Sequence, residues 1–373
     1  GFKSEGTNFT GSLLIGHSTT GVISSAENNT GVGIGALDAL TSGDHNVAIG
    51  YNAGTSISTG SKNIVLGFSA GDALLSGSNN IAIGHNALTT EDTGDNSVAI
   101  GRNALQNQNY NGNAHNIAIG RDAGQNVTTG VQNTLIGSAA GDAVTTGEFN
   151  VAMGYGALGS ATDTDQSVAI GHGALAALNY SGDSNNTAVG HNAGGSVVYG
   201  IKNTLLGAFA GDALTDGQKN VAVGYNALST EDGHGRNVAV GHETLKNLNA
   251  GADAYNVAVG YDAGLSVTTG VRNTLIGAVA GDALTSGYYN TALGYQALSS
   301  SVSGRNAVAI GYQALSNENS TNTETYNVAV GYTAGAQITS GTKNTLIGGH
   351  AGDALTTGGE NVAVGYAALS LED

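Results

Sequence analysis

The sequence predicts an all-β protein that folds as a parallel β-solenoid, or β-roll, of about 21 coils. The first sign is a phrase of the type Asn-Val-Ala-Ile-Gly, which returns roughly every 17–19 residues between Gly16 and Gly365. The second sign is that these steps come in fours, so that a larger unit of about 70 residues, here called the four-coil unit, repeats along the chain. A short, fixed period is typical of solenoids, in which each coil buries a face of its neighbour.

The composition favours one elongated domain over several globular ones. Of the 373 residues, 40% are apolar but only 5% are aromatic, which suits a thin core of Val, Ile, Leu and Ala. We expect irregular coils or a cap over residues 1–45 and the repetitive solenoid over residues 46–373. The chain starts at Gly1 without Met or a signal peptide, which is typical of a processed product or part of a longer protein.

The charge and the apolar pattern disfavour several classes of partner. A net charge of −17 argues against nucleic acid and against anionic membrane surfaces. No apolar run approaches the roughly 20 residues that a membrane-spanning helix requires, so we expect no membrane insertion. The sequence has no Cys and no Pro, so disulfides play no part and proline removes no donor from a strand ladder.

Each coil is expected to contain one short strand, and the run from Val221 to Val223 is representative. This run is β-branched and too short for a helix. Ala222 and its two neighbours point to opposite faces, and both faces are apolar. One face lines the inside of the coil, so a lone solenoid would expose a stripe of Ala and Leu. Because large apolar patches mark interfaces, we expect a homo-oligomer.

Two rows of residues are expected to be structural. Glycine ends every strand because it tolerates positive φ and close approach of another backbone. An asparagine usually stands four positions earlier, and stacked coils would place these amides in a hydrogen-bonded ladder. In the first coil of each four-coil unit the two rows contain Gly50, Gly120, Gly190, Gly260, Asn46, Asn116, Asn186 and Asn256.

The second and fourth coils of each four-coil unit depart from the common pattern. In the second, the central Ala becomes Leu, as at Leu135, while the residue after the glycine becomes small, as at Ser138. This exchange indicates volume matching, either within the chain or across an interface. The fourth coil has a longer turn, rich in Asn and Tyr, which is expected to project. The tyrosines of these turns are Tyr110, Tyr180, Tyr255 and Tyr326.

The residues that follow the glycines form a polar and aromatic row, which includes Tyr155, Tyr225 and Tyr295. Aromatic faces stack on the apolar faces of sugars. This row and the long-turn tyrosines are therefore candidates for binding a cell-surface glycan or a protein receptor. The alternative is that the rings cover strand edges or fill a groove between chains.

No residue pattern indicates an enzyme, a cofactor or a metal. Asp72 and its equivalents recur only once per four-coil unit, so they cannot share one ion, and we interpret them as turn caps. The adjacent pairs Glu91–Asp92 and Glu231–Asp232 are interpreted as solvated turns rather than as catalytic carboxylates. Thr128 and Thr129 are similar to the threonine arrays of ice-binding solenoids, but neighbouring turns lack the pair.

The repeated core, as in Asn46–Gly50, Asn116–Gly120 and Asn327–Gly331, resembles the head repeat of trimeric autotransporter adhesins of the YadA type. It is similar also to repeats of phage tail-fibre proteins. The resemblance covers about nine-tenths of the chain. It implies a left-handed β-roll that assembles as a homotrimer, outside the cell or on a virion. The coils of this chain are longer than those of the adhesins, and the four-coil unit is an additional feature.

These observations lead us to expect a non-enzymatic, extracellular fibre segment that attaches to a cell surface, either a phage tail fibre or an adhesin head. A self-assembling extracellular filament subunit is the alternative, and an ice-binding solenoid is a third candidate. A filament needs complementary ends, and the irregular start of the chain argues against them.

Overall fold

A computed structural model of the chain describes residues 2–6, 9–16, 23–321 and 323–371. Every regular element in these ranges is a β-strand, and the chain divides into two compact units, unit 1 (residues 1–185) and unit 2 (residues 186–373). Each unit is a parallel β-solenoid, in which each ladder strand pairs in parallel with the next ladder strand along the chain. The predicted fold class is confirmed.

Unit 1 contains a ladder of ten described parallel strands, β2 to β10 and β12, together with three other short strands. The strands are β1 (Phe2–Gly6), β2 (Phe9–Ile15), β3 (Thr30–Val32), β4 (Val47–Ile49), β5 (Ile64–Leu66), β6 (Ile81–Ile83), β7 (Val98–Ile100), β8 (Ile117–Ile119), β9 (Thr134–Ile136), β10 (Val151–Met153), β11 (Thr164–Asp165), β12 (Val168–Ile170) and β13 (Gly182–Asp183).

Unit 2 contains a ladder of eleven described parallel strands. The strands are β14 (Thr187–Val189), β15 (Thr204–Leu206), β16 (Val221–Val223), β17 (Val238–Val240), β18 (Val257–Val259), β19 (Thr274–Ile276), β20 (Thr291–Leu293), β21 (Val308–Ile310), β22 (Val328–Val330), β23 (Thr345–Ile347) and β24 (Val362–Val364).

The ladder strands are short because turns make up the rest of each coil. In the coil of β8, four residues have positive φ values between 52° and 142°. They are His115, Gly120, Asp122 and Gly124. L-residues reach this region only at a cost, so the coil concentrates Gly, Asn and Asp at such positions. These corners let each short repeat close into one coil around a narrow core.

Unit 1 begins with a hairpin rather than with a regular coil. β1 pairs with β2 in antiparallel orientation, and β2 continues into the parallel ladder through β3. Asn29, next to β3, already belongs to the asparagine row, because its Oδ1 accepts a hydrogen bond from the N–H of Asn46 at 2.8 Å. The boundary that the sequence indicated at residue 46 therefore falls inside the regular ladder.

The inside of each coil is lined by the central strand residue and by the Ala that lies three positions after the glycine. Ala118 and Ala123 are fully buried in unit 1, and Ala258 and Ala263 are fully buried in unit 2. The first and third strand residues point outward; Ile119, for example, is 37% exposed. The expected outer stripe of Ala and Leu is therefore wrong in composition: Ala faces inward, and mainly Val, Ile and Thr face outward.

The exchange of Ala for Leu in the second coil is balanced within the chain. Leu135 fills space that two glycines leave open. A Cβ on Gly124 would lie 2.7 Å from one Cδ of Leu135, and a Cβ on Gly141 would lie 2.7 Å from the other. Where the central residue is Ala118, the preceding coil places the buried Leu105 at the position that Gly124 holds in its own coil. The volume matching predicted from the sequence thus operates between successive coils.

The glycine that ends each strand is needed for two reasons. Gly137 has a φ of 133° and Gly277 has a φ of 130°, a region that favours glycine. In addition, a Cβ on Gly137 would lie 2.6 Å from the carbonyl oxygen of Gly154. The corresponding distance from Gly277 to the oxygen of Gly294 is 2.4 Å. Successive backbones therefore approach too closely at this corner for any side chain.

The asparagine row forms a buried, hydrogen-bonded ladder in both units. The backbone N–H of Asn133 donates to Oδ1 of Asn116 at 2.8 Å, while its Nδ2 donates to the carbonyl of Gly147 at 2.8 Å. In unit 2 the N–H of Asn273 donates to Oδ1 of Asn256 at 2.9 Å. Each side-chain amide therefore accepts a hydrogen bond from a backbone N–H of the next coil and donates one to the carbonyl of a turn. Buried polar groups need such partners.

Candidate functional surface

The first and third residues of the ladder strands form an apolar surface, here called the outer strand face. Ile49 and Met153 of unit 1 are 45% and 38% exposed, and Leu293 and Ile347 of unit 2 are 42% and 41% exposed. These side chains recur at every coil, so the exposed apolar area is contiguous along each unit. Contiguous patches of this kind mark interaction surfaces in soluble proteins.

Aromatic side chains follow the strands and stack on one another from coil to coil. In unit 1 the ring of Phe68 lies between Tyr51 and His85, with centroid distances of 5.2 and 5.1 Å and nearly parallel planes. Tyr155 and His172 form a further stacked pair at 5.3 Å. The spacing is set by the coil repeat, because neighbouring strands lie about 4.8 Å apart.

Unit 2 contains two stacks of three rings in the same row. His242 lies between Tyr225 and Tyr261, at 5.5 and 5.3 Å. Tyr312 lies between Tyr295 and Tyr332, at 5.5 and 5.2 Å. Ala278 stands in this row on the coil that separates the two stacks.

This stacking changes what the row can bind. The middle ring of each stack has both faces covered by its neighbours, so Tyr312 cannot offer a face to a sugar. Its edge and its hydroxyl remain accessible, since the residue is 42% exposed. Tyr155, Tyr225 and Tyr295 each have one stacked neighbour, on the following coil. Any ligand of this row would therefore contact ring edges, hydroxyls and the ends of the stacks.

The four long-turn tyrosines occupy two different positions and do not form one row. Tyr110 and Tyr180 lie early in the turn and are half-buried. The N–H of Tyr110 donates to a buried Glu91 oxygen at 3.2 Å, which fixes the turn. Tyr255 and Tyr326 lie directly before the asparagine row, are about half exposed and have positive φ values of 54° and 50°.

Glu91 overturns the interpretation of the acidic pairs as solvated turns, because its side chain is fully buried. Its carboxylate accepts hydrogen bonds from the N–H of Gly94 at 2.7 Å and from Nε2 of Gln108 at 3.0 Å. The same Gln108 nitrogen donates to Oγ of Ser97, and the Gln108 oxygen accepts from Nδ2 of Asn116. We call this buried cluster of Glu91, Ser97, Gln108 and Asn116 the first corner. In it, Gln108 continues the hydrogen-bonded asparagine ladder at the coil where Ser97 replaces the asparagine.

The equivalent positions carry different side chains in the other four-coil units. The second corner, also in unit 1, has Ala161 and Leu178 in place of the Glu–Gln pair, and Ser167 bonds to Ser184. We call this the apolar corner. Glu91 and Gln108 are replaced together, and a position-by-position comparison of the four-coil units would have revealed that they form a pair. A search for adjacent carboxylates misses this pair.

Unit 2 contains two further corners with a buried glutamate. Glu231 accepts hydrogen bonds from the N–H groups of His234 and Ala250 at 3.2 and 3.3 Å. In the last corner the buried carboxylate comes from the other coil, as Glu318, and it accepts a hydrogen bond from the N–H of Ser320 at 3.1 Å. Glu231 therefore joins the turns of the third and fourth coils, whereas the hydrogen bond to Glu318 stays within its own turn.

The recurring aspartates lie in turns, as the sequence indicated. Partial burial raises the pKa of Asp72, Asp142, Asp212 and Asp282, and it is the largest influence on each carboxyl. A hydrogen bond from the residue's own N–H opposes the rise in all four. The carboxyls therefore lie partly buried in their turns, and one oxygen of Asp212 and one of Asp282 have no hydrogen-bond partner.

Two groups of side chains in the described residues bring three possible metal ligands together. Glu231, Asp232 and His234 form one, and His242, Glu243 and Asp262 form the other. In the first, the backbone N–H groups already occupy the Glu231 carboxylate. In the second, Nζ of Lys246 lies 2.8 Å from the Glu243 carboxylate. In each group, one of the carboxylates is therefore already bound by another group of the protein.

The threonine pairs bond to the neighbouring coil. Oγ1 of Thr128 donates to the carbonyl of Thr145 at 3.1 Å, and Oγ1 of Thr268 donates to that of Thr285 at 3.2 Å. Because these hydroxyl groups donate to backbone carbonyls of the neighbouring coil, they argue against an ice-binding array.

A further row, which the sequence analysis missed, consists of the residues directly before the asparagines. Over six consecutive coils of unit 2 it is basic and aromatic, and we call it the basic row. Its members are Lys202, Lys219, Arg236, Tyr255, Arg272 and Tyr289. All six are exposed and have positive φ values between 54° and 64°. Aligning the coils on their asparagines would have revealed it.

No protein-family model matches the chain, and no curated protein is similar to it in sequence. Within the described residues, no helix is long and apolar enough to cross a membrane.

Proposed function

We propose that the chain is a structural and adhesive segment of an extracellular fibre, in which copies of the chain associate along the outer strand face. The observation that carries this proposal is the contiguous, partly exposed row of mainly Val, Ile and Thr in both units. A solvent-exposed apolar row that recurs at every coil is explained by a partner with the same repeat.

Energetics favour a second copy of the chain as that partner. Complete burial of one Val, Ile or Leu side chain contributes roughly 1.5–3 kcal/mol, so covering the exposed part of each contributes about 1 kcal/mol. Ladders of ten and eleven strands multiply this term. Only a partner with the same coil spacing keeps every side chain in register, and an identical chain in parallel orientation meets that condition. By the resemblance of the repeats, we propose that the assembly is a homotrimer located outside the cell or on a virion.

The attachment role rests on the exposed rows that the outer strand face does not use. The stacked rings and the basic row repeat along the chain, and a trimer would display each of them three times. Weak contacts to a glycan or protein receptor on a cell surface then add up through avidity.

A filament built by end-to-end stacking is less well supported. At the start of unit 1, β1 pairs with β2 in antiparallel orientation. This hairpin does not reproduce the parallel edge that another coil would need. The hairpin therefore gives the filament alternative no structural support.

The association is tested by mass photometry of the intact chain over a range of concentrations. The wild type is expected to form discrete particles of three chains. The double variant Ile117→Ser/Ile119→Ser, on the outer strand face, is expected to dissociate at higher concentration than the wild type. The control Leu75→Ser/Tyr199→Ser changes apolar residues in turns that are even more exposed than Ile117 and Ile119, and it is expected to leave the trimer unchanged. Monomers at all concentrations would refute the proposal, and particles that lengthen with concentration would favour the filament.

A further inference from the structure

The basic row of unit 2 places like charges close together on a rigid backbone. Lys202, Lys219 and Arg236 stand at equivalent positions of three successive coils, about 4.8 Å apart along the ladder. Their backbone is fixed, since the N–H of Lys219 donates to the carbonyl of Ile201 at 3.0 Å. Neighbouring cations at this spacing repel one another, and an anionic ligand would relieve that repulsion.

Tyrosine rings hold the arginine side chains of the row in place. The Tyr255 ring lies between two guanidinium groups, 5.3 Å from that of Arg236 and 5.9 Å from that of Arg272. Arg236 also donates to the Tyr255 hydroxyl at 2.8 Å, and Arg272 donates to the Tyr289 hydroxyl at 2.7 Å. These contacts engage only part of the five N–H donors that each guanidinium carries. The arginines are therefore oriented before any ligand arrives.

Most of the positive charge in the row lacks an acidic partner. Arg236 forms an ion pair with Asp253. Within the described residues, no carboxylate lies at ion-pair distance from Lys202, Lys219 or Arg272. Such a row is unexpected in a chain with 28 acidic and only 11 basic residues.

A cavity of about 180 Å³ opens beside the row. Lys219 and Arg236 line it together with two carboxylates, those of Asp216 and Asp253. The wall thus offers donors for a carboxylate and acceptors for hydroxyl groups. A sugar acid carries both of these groups.

We propose that the basic row binds a linear acidic polysaccharide, in which sugars that carry carboxylates run along the coils of unit 2. The proposal names the ligand class for the attachment role and so rests on the proposed function. The coils repeat every ~4.8 Å, which is comparable to the length of one sugar, so those carboxylates that lie on the side of the chain facing the row can meet cations of different coils. The hydroxyls of the same sugars can donate to Asp216 and Asp253.

The charge distribution favours this ligand over nucleic acid. Double-stranded DNA carries one charge per ~1.7 Å, which makes it far more sensitive to the repulsive net charge of −17. DNA phosphates also offer no donors to Asp216 and Asp253. At physiological salt, fields are screened beyond about 8 Å, so a less densely charged ligand responds mainly to the row itself.

The test measures binding of a galacturonic acid hexasaccharide to the intact chain by calorimetry at physiological ionic strength. The triple variant Lys202→Gln/Lys219→Gln/Arg272→Gln is expected to bind about tenfold more weakly, since each exposed charge contact contributes modestly. The control Lys62→Gln/Arg102→Gln/Arg121→Gln removes the same charge from unit 1 and is expected to bind like the wild type. Circular dichroism and mass photometry of the same samples report folding and assembly.

Each outcome decides between the alternatives. Loss in the row variant alone, with weak binding of neutral maltohexaose and of DNA, supports the proposal. Equal loss in both variants would show a net-charge effect and overturn it, as would equal binding of maltohexaose or tighter binding of DNA. Trimers that bind no hexasaccharide refute the ligand but not the fibre, whereas monomers that bind it refute the fibre but not the ligand. If the row variant misfolds, Lys202→Arg/Lys219→Arg provides the check, because it must retain binding.

Discussion

Units 1 and 2 have the same interior but different exteriors. Leu275 of unit 2 fits the space beside Gly264 and Gly281 just as Leu135 fits its own pair of glycines, with Cβ approaches of 2.7 and 2.8 Å. In the row directly before the asparagines, by contrast, the backbone is alike in the two units but the side chains differ. His115 of unit 1 and Tyr255 of unit 2 occupy equivalent positions with nearly equal φ values, 52° and 54°, yet their side chains differ.

The difference shows which positions the fold constrains. Backbone approach and interior volume are the same from coil to coil, because each coil must fit both of its neighbours. A side chain in an outward row has no such restriction, since its backbone is already fixed by the ladder. The fold thus carries variable surface chemistry on an invariant scaffold, and unit 2 has seven of the eleven basic residues.

The largest effect is expected for the glycines that end the strands. Gly137→Ala in unit 1 and Gly277→Ala in unit 2 should each lower the free energy of unfolding by at least about 4 kcal/mol, because the new Cβ meets a backbone oxygen. Gly156→Ala is the control, since its φ is 61° and a Cβ there has no atom within 4 Å. It should cost only about 1–2 kcal/mol. Denaturant unfolding measures all three, and equal losses would contradict the steric explanation.

A smaller effect is expected for the interior leucines. Leu135→Ala and Leu275→Ala should each cost about 2–5 kcal/mol, because the paired glycines cannot fill the cavity. The outward Leu75→Ala is the control and should cost less than about 0.5 kcal/mol. A clear difference between Leu135→Ala and Leu275→Ala in thermal or denaturant unfolding would show that the two interiors are not equivalent.

In the first corner, a single substitution should lower the free energy of unfolding, and two further substitutions should restore part of it. Glu91→Ala leaves buried donors without partners and should cost about 1–3 kcal/mol. Adding Gln108→Leu and Ala114→Ser copies the apolar corner of the same unit and should restore stability relative to the single variant. Denaturant unfolding compares the two, and a triple variant less stable than Glu91→Ala would show that the corners are not interchangeable.

The smallest effect concerns pH. Burial raises the pKa of the Glu231 carboxyl above its ordinary value of 4.5. The folded state then holds a proton that the unfolded state releases, so stability falls as the pH rises from about 4.5 through the folded-state pKa. Glu231→Gln should therefore gain stability over the wild type at pH 7 relative to pH 4, as measured by thermal unfolding at both values.

Glu243→Gln is the control of opposite sign. A hydrogen bond from Lys246 lowers the pKa of the Glu243 carboxyl. This group stabilises the fold above its ordinary pKa, and the contribution is lost as the pH falls through the folded-state pKa. Its removal should therefore lower stability slightly at neutral pH. The same pH response in both variants would contradict the assigned causes.

The sequence predicted the fold, the strand positions and both structural rows because these features repeat. The period places Gly137 and Asn133 without any structure. Other features could not be read from a single coil. The fit of Leu135 depends on Gly124 before it and Gly141 after it, and Gln108 completes a ladder that Ser97 interrupts on the preceding coil.

The surface was harder to predict because a row becomes visible only when its register is known. Tyr110 and Tyr255 both come from long turns, yet they lie at different positions in the coil. Tyr155 was expected to offer a ring face, and the structure stacks it against His172. Such contacts depend on side chains one coil away, which periodicity alone does not resolve.

The spacing of the ladder bonds also bears on how the chain folds. Each coil bonds to the next across a single repeat of the sequence, as between Asn116 and Asn133. Short loops of this kind cost little entropy to close, so folding does not have to wait for distant segments to meet. Beginning at the β1–β2 hairpin, unit 1 can add one coil at a time while the remaining chain is still being synthesised.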